Sequence, residues 1–191
     1  MKLQYITDIK CDANIFPYDQ DAINRLQKIY RTARKGNLKE DKLTNLKDYL
    51  ANIHKEPRSI PSNIEAFDSF AKEIIKEIAI RINGTRKLKF GIAQKIFNLF
   101  MKDLWAWDKL KPEQESVLHW PIDKGVLDMV RKPAWKAWTK VVTTENNLNE
   151  TFNEYLHIQN ILRSQLLKFP QFHTAIEMEQ YLWHKFELIN Q

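Results

Sequence analysis

Two side chains in the middle of the chain, Lys95 and Asp123, have the types needed to attack an electrophilic carbon together. A lysine amine becomes a nucleophile when partial burial or a nearby cation lowers its pKa. A neighbouring aspartate can activate that amine or stabilise a developing oxocarbenium ion. Motifs for other chemistries are missing from the sequence, which has no P-loop, no dinucleotide-binding glycine motif, no nucleophile elbow and no HExxH.

The segment that carries Lys95 is predicted to be a central helix. On a helix, the apolar residues of 91–105 fill an arc of roughly 200° and the polar ones a stripe of roughly 100°. On a surface helix the polar arc is usually wider than the apolar one. We therefore expect this helix to be central, with Phe97 and Phe100 buried at the centre of the domain. The polar stripe must face a cleft or a set of partners, because a buried ammonium without either is costly. The stripe consists of Gln94, Lys95, Asn98 and Lys102.

Asp123, the second residue of the proposed catalytic pair, directly follows Pro121 and Ile122. Asp123 is well placed to N-cap a short helix that carries Val126. The alternative for the whole set is structural: the polar stripe can hydrogen-bond loop carbonyls, and Asp123 can be an N-cap and no more.

Apolar periodicity along the chain predicts an all-α fold, a compact irregular bundle of seven to eight helices. Residues 1–18 have no clear period and are predicted to pack as an extended arm, and residues 108–118 are predicted to be a polar surface loop. Capping-box patterns occur at 62–65 and 174–177. The predicted helices run from Asp19 or Asp21 to Gly36, from Glu40 to Ile53, from the first capping box to Ile82, over 91–105, after Asp123, from Leu148 to Lys168, and from Thr174 onward.

Length and composition favour one soluble domain. The 191 residues are enough for a single domain with its own core, with residues 1–60 as a possible smaller packing lobe. The single Cys11 excludes an internal disulfide and favours a reducing compartment. No apolar run is long enough to span a membrane, and the first residues lack the apolar core of a signal peptide. We expect a cytoplasmic monomer with no cofactor, no metal and no membrane partner.

Basic residues before the central helix are candidates for nucleic-acid contact. The net charge of +6 favours an anionic partner, above all nucleic acid. Arg86, Lys87 and Lys89 precede a helix N-terminus, whose dipole also attracts phosphate. The alternative is a simple exposed loop. The polar stripe residues Gln94, Asn98 and Lys102 complete this part of the predicted nucleic-acid-binding set.

A second basic segment lies further along the chain. Lys132 and Lys136 flank Trp135, and Trp138 follows three residues after it. Aromatic side chains between lysines can stack on bases while the lysines contact phosphates. The alternative is that the two tryptophans, at helical spacing, belong to the core.

The residues around Lys95 and Asp123 resemble a known signature. Gly91-Ile92-Ala93-Gln94-Lys95, followed by Pro121-Ile122-Asp123, is similar to the G-x-G-x-K and P-V-D motifs of the helix-hairpin-helix base-excision DNA glycosylases. The 8-oxoguanine glycosylase branch has the most similar pattern. The resemblance implies that Lys95 is the nucleophile of members with lyase activity, and that Asp123 assists cleavage of the N-glycosidic bond. It also departs from the family, since Ala93 replaces the second glycine of the hairpin.

The resemblance implies double-stranded DNA with an extruded base as the partner. Such a base is stacked on aromatic side chains in a pocket, and the candidates are Trp105, Trp120, Trp135 and Trp183. Two other functions fit the same sequence. One is a non-enzymatic nucleic-acid-binding module, in which the basic segments bind and the Lys95–Asp123 pair is structural. The other is a protein-interaction or regulatory protein, for which the positive charge is incidental.

Overall fold

The chain is helical throughout most of the part that the structure describes. The computed structural model describes residues 1–8, 40–81, 88–122, 126 and 143–189. These contain seven α-helices and no β-strand, which confirms the predicted all-α class. The helices are α1 (Lys2–Asp8), α2 (Glu40–Lys55), α3 (Ile64–Lys76), α4 (Phe90–Ala106), α5 (Pro112–Glu115), α6 (Glu145–Leu166) and α7 (Ala175–Ile189), with a 3₁₀ turn at Pro57–Ser59 and a π-helical turn at Glu77–Arg81 that continues α3.

Two predicted helices fall wholly or mainly outside the described residues. The helix from Asp19 or Asp21 to Gly36 is one of them. Of the helix after Asp123 only Val126 is described, and it is helical and buried. The smaller lobe predicted at residues 1–60 therefore stays a prediction.

Helix α4 lies in the middle of the hydrophobic core, as its wide apolar arc predicts. All of its residues except Lys95 and Leu99 are buried. Phe97 is fully buried, and its ring centroid lies 6.1 Å from that of Phe67 and 6.2 Å from that of Phe70, both on α3. Phe100 is fully buried as well. The central-helix prediction is confirmed, and α4 extends one residue beyond 91–105 at each end.

Lys2–Asp8 form a helix and not the predicted extended arm, and residues 9–18 of that predicted arm lie outside the described residues. Helix α1 packs on α4, where the Tyr5 hydroxyl donates a hydrogen bond of 2.7 Å to the Asp103 carboxylate. Lys2 Nζ lies 2.7 Å from carboxylate oxygens of both Asp108 and Glu115. A helix this short is only marginal by itself, so its formation depends on these tertiary contacts, which periodicity cannot reveal.

Side-chain caps fix the starts of α3 and α7. Asn63 caps α3 by accepting a 2.9 Å hydrogen bond from the Ala66 N–H, one residue later than the capping-box pattern predicts. Thr174 and Glu177 form the predicted capping box of α7. In it, the Glu177 N–H donates to Thr174 Oγ1 at 3.2 Å, and the Thr174 N–H donates to Glu177 Oε2 at 3.3 Å.

The predicted surface loop at 108–118 is partly buried and contains α5. Leu110 and Val117 belong to the core. Gln114 is buried too, and its amide nitrogen donates to the carbonyls of Pro57 and Ile60 at 2.8 and 2.6 Å. The surface-loop prediction is wrong here because Leu110 and Val117 pack into the core and the Gln114 amide hydrogen-bonds Pro57 of the 3₁₀ turn and Ile60 directly after it.

Candidate functional site

A non-helical segment of five residues, 118–122, is buried against α3, α4 and α6. We call it the buried segment. Buried backbone groups outside helices and sheets still need partners, and each one left unpaired costs about 1–3 kcal/mol. Pro121 reduces the demand because it has no N–H. The Leu118 N–H donates to the Glu115 carbonyl at 3.4 Å, and polar side chains of the surrounding helices pair other groups of the segment.

Gln94 of α4 pairs with both backbone groups of Ile122. Its amide nitrogen donates to the Ile122 carbonyl at 2.7 Å, and its amide oxygen accepts from the Ile122 N–H at 3.3 Å. The same nitrogen also donates to the Gly91 carbonyl at 3.0 Å. A single buried glutamine thus joins the two parts of the sequence signature, one residue before Lys95 and one residue before Asp123.

Gln159 of α6 pairs with both backbone groups of Trp120 in the same way. The Trp120 N–H donates to Gln159 Oε1 at 3.0 Å, and Gln159 Nε2 donates to the Trp120 carbonyl at 2.9 Å. Asn98 of α4 lies 3.0 Å from that carbonyl through its amide nitrogen, and 2.9 Å from Gln94 Oε1. Residues 120 and 122 are therefore bound by side-chain amides from two helices.

A chain of hydrogen bonds runs from Asp68 at the edge of the core to Asn98 inside it. Asp68 Oδ1 lies 2.7 Å from His119 Nε2, and His119 Nδ1 lies 2.8 Å from the Tyr155 hydroxyl. Because the ionised Asp68 can only accept, Nε2 carries the imidazole proton and Nδ1 accepts from Tyr155. The Tyr155 oxygen then accepts from Asn98 Nδ2 at 2.9 Å. Arg163 Nη2 donates to Asp68 Oδ1 at 2.9 Å.

Burial sets the ionisation states in this chain. It lowers the pKa of His119 to about 4, so the imidazole is neutral at pH 7. It also raises the pKa of the Tyr155 hydroxyl. Burial opposes the ionisation of Asp68, but hydrogen bonds from His119 and Arg163 outweigh it and lower the Asp68 pKa overall. His119 and Tyr155 are fully buried, and their hydrogen bonds hold the segment in place.

Three of the four polar stripe residues have their polar atoms engaged inside the protein. Gln94 and Asn98 are fully buried and bind the buried segment, as described above. Lys102 is 2% exposed and forms an ion pair with Glu179 of α7, with its ammonium 4.7 Å from the centre of the Tyr5 ring. The stripe therefore meets a set of partners, one of the two arrangements predicted for it. Direct contact of these three residues with nucleic acid would require the interior to open.

The fourth member of the stripe, Lys95, is half-buried. Lys89, also half-buried, is the residue before the first turn of α4. The other predicted site residues, Arg86, Lys87, Asp123, Lys132 and Lys136, lie outside the described residues.

The tryptophans proposed as walls of a base pocket differ in exposure. Trp105 and Trp120 are buried in the core, and Trp183 is 39% exposed. Trp135 lies outside the described residues. Among the residues that the structure describes, the indole N–H groups of Trp105 and Trp120 have no hydrogen-bond partner.

Sequence reasoning missed the side chains that bind the buried segment from α3 and α6. Tyr155, Gln159 and Arg163 are spaced four residues apart, which places them in one row on the helix. The sequence shows this polar row on the helix, but it does not show which groups the row binds. Asp68 and His119 gave no signal, because their pairing joins residues 51 apart in the chain.

Comparison of the chain with protein-family models, with curated proteins and with solved structures finds no match. Within the described residues no helix is long and apolar enough to cross a membrane. The same residues contain no group of three or more His, Cys, Asp or Glu side chains that could hold a metal ion. The resemblance to DNA glycosylases therefore depends on the signature residues of the sequence alone.

Proposed function

We propose that the protein is a DNA glycosylase with lyase activity that excises a damaged or modified base. One observation supports this more than any other. Gln94 hydrogen-bonds both backbone groups of Ile122, so the residues directly before Lys95 and Asp123 are in contact. Sequence alone leaves the two parts of the signature 26 residues apart, between Lys95 and Pro121.

In this proposal the Lys95 amine is the nucleophile. Its neutral form attacks C1′ of an extruded nucleotide, the bond from C1′ to the base breaks, and the electron pair leaves with the base, which takes up a proton. One amine proton balances the proton taken up by the base and the other passes to O4′ as the bond from C1′ to O4′ breaks, which leaves a Schiff base between Lys95 and C1′. The Asp123 carboxylate stabilises the positive charge that develops on the sugar.

The structure also changes which residues the proposal assigns to phosphate binding. Gln94, Asn98 and Lys102 are buried and paired within the protein, so their proposed role is to support the site. Phosphate contact is then assigned to the basic segments, which comprise Arg86, Lys87, Lys89, Lys132 and Lys136.

The test is base release and strand cleavage on a duplex that carries 8-oxoguanine, measured under single-turnover conditions. Lys95→Gln should abolish strand cleavage and leave DNA binding unchanged. Asp123→Asn should slow base release by a factor on the order of 10² or more, as expected for loss of a positioned electrostatic group. Lys47→Gln, at another half-buried lysine, is the matched control and should retain full activity.

Other outcomes would point to the other two functions. DNA binding that weakens steeply with salt, without base release, would indicate a non-enzymatic nucleic-acid-binding module. A wild-type protein that neither binds DNA at micromolar concentration nor releases a base would leave a protein-interaction or regulatory role. Base release that survives in Lys95→Gln and fails in Asp123→Asn would mean that water is the nucleophile.

A further inference from the structure

Helix α1 has a small area of attachment to the rest of the protein. It contains seven residues, too few to form a stable helix alone. Among its described side chains Tyr5 and Ile6 are buried, whereas Leu3 is 67% exposed. Segments with few buried apolar side chains open locally at a smaller free-energy cost than the rest of a fold. The contacts that hold α1 on α4 therefore decide whether it stays docked.

The first turn of α1 is held by ion pairs at the protein surface. The Lys2 ammonium lies 2.7 Å from a carboxylate oxygen of Asp108, just beyond the end of α4, and 2.7 Å from one of Glu115, in α5. The side chains of Lys2 and Asp108 are 29% and 80% exposed. Ion pairs this exposed stabilise a fold only slightly, and salt weakens them further. The attachment of α1 should therefore depend on ionic strength.

Beneath α1 lie charged side chains of α4 and α7. The Tyr5 hydroxyl donates to the buried Asp103 carboxylate at 2.7 Å, and the centre of the Tyr5 ring lies 4.7 Å from the Lys102 ammonium. That ammonium is paired with Glu179, and the side chains of the pair are 3% and 6% exposed. Burial of an ion pair carries a desolvation cost, which contact with water relieves. Loss of the Tyr5 contacts would therefore hydrate charged groups as well as expose apolar ones.

We propose that α1 is a detachable cover over the Lys102–Glu179 ion pair, and that salt releases it by screening the ion pairs of Lys2. Salt screens buried pairs much less than exposed ones, so Lys102 and Glu179 stay paired while α1 leaves. The docked helix keeps solutes away from the Lys102 amine, and the released helix gives them access to it. None of the residues assigned to catalysis or phosphate contact lies in α1, so the cover is tested independently of the proposed function.

The experiment measures how fast acetic anhydride modifies Lys102, by mass spectrometry of the digested protein. Sodium chloride is raised from about 0.01 M to about 1 M, over which the Debye length falls from about 30 Å to about 3 Å. Modification of the exposed Lys168 is the internal reference for the reactivity of the reagent. The ratio of Lys102 to Lys168 modification should rise about threefold or more, as expected for the loss of two weak ion pairs. The amides of α3 should stay protected from hydrogen exchange throughout, because the rest of the fold remains intact.

Three variants separate the contacts of α1. Lys2→Gln removes the ion pairs, so at low salt it should already show the ratio that the wild-type protein reaches at high salt, and added salt should change it little. Tyr5→Phe removes the hydrogen bond to Asp103. Its ratio should exceed that of the wild type at both salt concentrations and should still rise with salt, since Lys2 is intact. Lys55→Gln, which removes an exposed charge of α2, is the matched control and should behave like the wild type.

The same measurements can overturn the proposal. A Lys102 ratio that neither salt nor Lys2→Gln changes in the folded protein would do so. A wild-type Lys102 that reacts as fast as Lys168 at low salt would do so too, because it would not be covered. Modification that rises only together with loss of amide protection in α3 would show global unfolding in place of α1 release, and would also overturn it. If Lys2→Gln does not fold, the wild-type salt series and Tyr5→Phe decide between these outcomes.

Discussion

The buried imidazole of His119 should make the folded protein sensitive to mild acid. Burial is the main reason that its pKa falls from 6.5 to about 4, with Arg163 acting in the same direction and Asp68 opposing. The unfolded chain therefore binds this proton more tightly than the folded protein does. The contribution of this pKa difference to the free energy of unfolding is complete above the unfolded pKa of 6.5. It is lost as the pH falls toward the pKa of the folded protein.

The size of the effect follows from the two pKa values. A tenfold difference in proton affinity corresponds to about 1.4 kcal/mol, so the change from 6.5 to about 4 contributes about 3 kcal/mol to the free energy of unfolding. About 2 kcal/mol of this is lost between pH 7 and pH 5. The lowered pKa of Asp68 acts in the same direction at still lower pH, since its contribution is present above 3.8 and is lost below that value.

The assay is urea unfolding of the wild-type protein at several pH values between 7 and 5, followed by tryptophan fluorescence. His119→Gln keeps a donor toward Asp68 and removes the titrating group, so its free energy of unfolding should be lower at pH 7 but much flatter across this range. His173→Gln, at an exposed histidine, should keep the wild-type slope. A wild-type change below about 0.5 kcal/mol, or an unchanged slope in His119→Gln, would show that His119 does not titrate on unfolding in this range.

Two further predictions concern α4. Phe97→Ala or Phe100→Ala should lower the free energy of unfolding by about 3–5 kcal/mol, because each ring is fully buried in the core. A thermal midpoint that barely moves would show that α4 is not central. Lys102→Met should cost about 3–5 kcal/mol because it leaves the Glu179 carboxylate buried and unpaired. Adding Glu179→Leu should restore most of that loss, and a double variant no more stable than Lys102→Met would contradict the buried ion pair.

The sequence was informative where the pattern is local. The wide apolar arc of α4 predicted a buried central helix, and Phe97 and Phe100 are indeed buried. The Thr174–Glu177 box marked the start of α7 because both of its hydrogen bonds lie within one helical turn. In contrast, α1 is too short for a period to be recognised, and its helix depends on contacts with α4.

The sequence was least informative about which polar groups meet. The polar stripe of α4 was correctly expected to need a cleft or partners, because unpaired polar groups are costly inside a core. Nothing in the local pattern shows that Gln94 binds Ile122, 28 residues away, or that Lys102 binds Glu179, 77 residues away. Such pairs form only when the helices pack against each other. The sequence therefore identifies the polar residues but not the partners that they bind.

The proposed glycosylase depends on Lys95 acting as a nucleophile at C1′ of DNA. The most direct measurement is borohydride reduction of the protein mixed with an abasic duplex, followed by protease digestion and mass spectrometry of the cross-linked peptide. We expect one covalent adduct, attached to Lys95, that disappears in Lys95→Gln and persists in Lys47→Gln. No adduct in the wild-type protein, or an adduct on a different lysine, would contradict it.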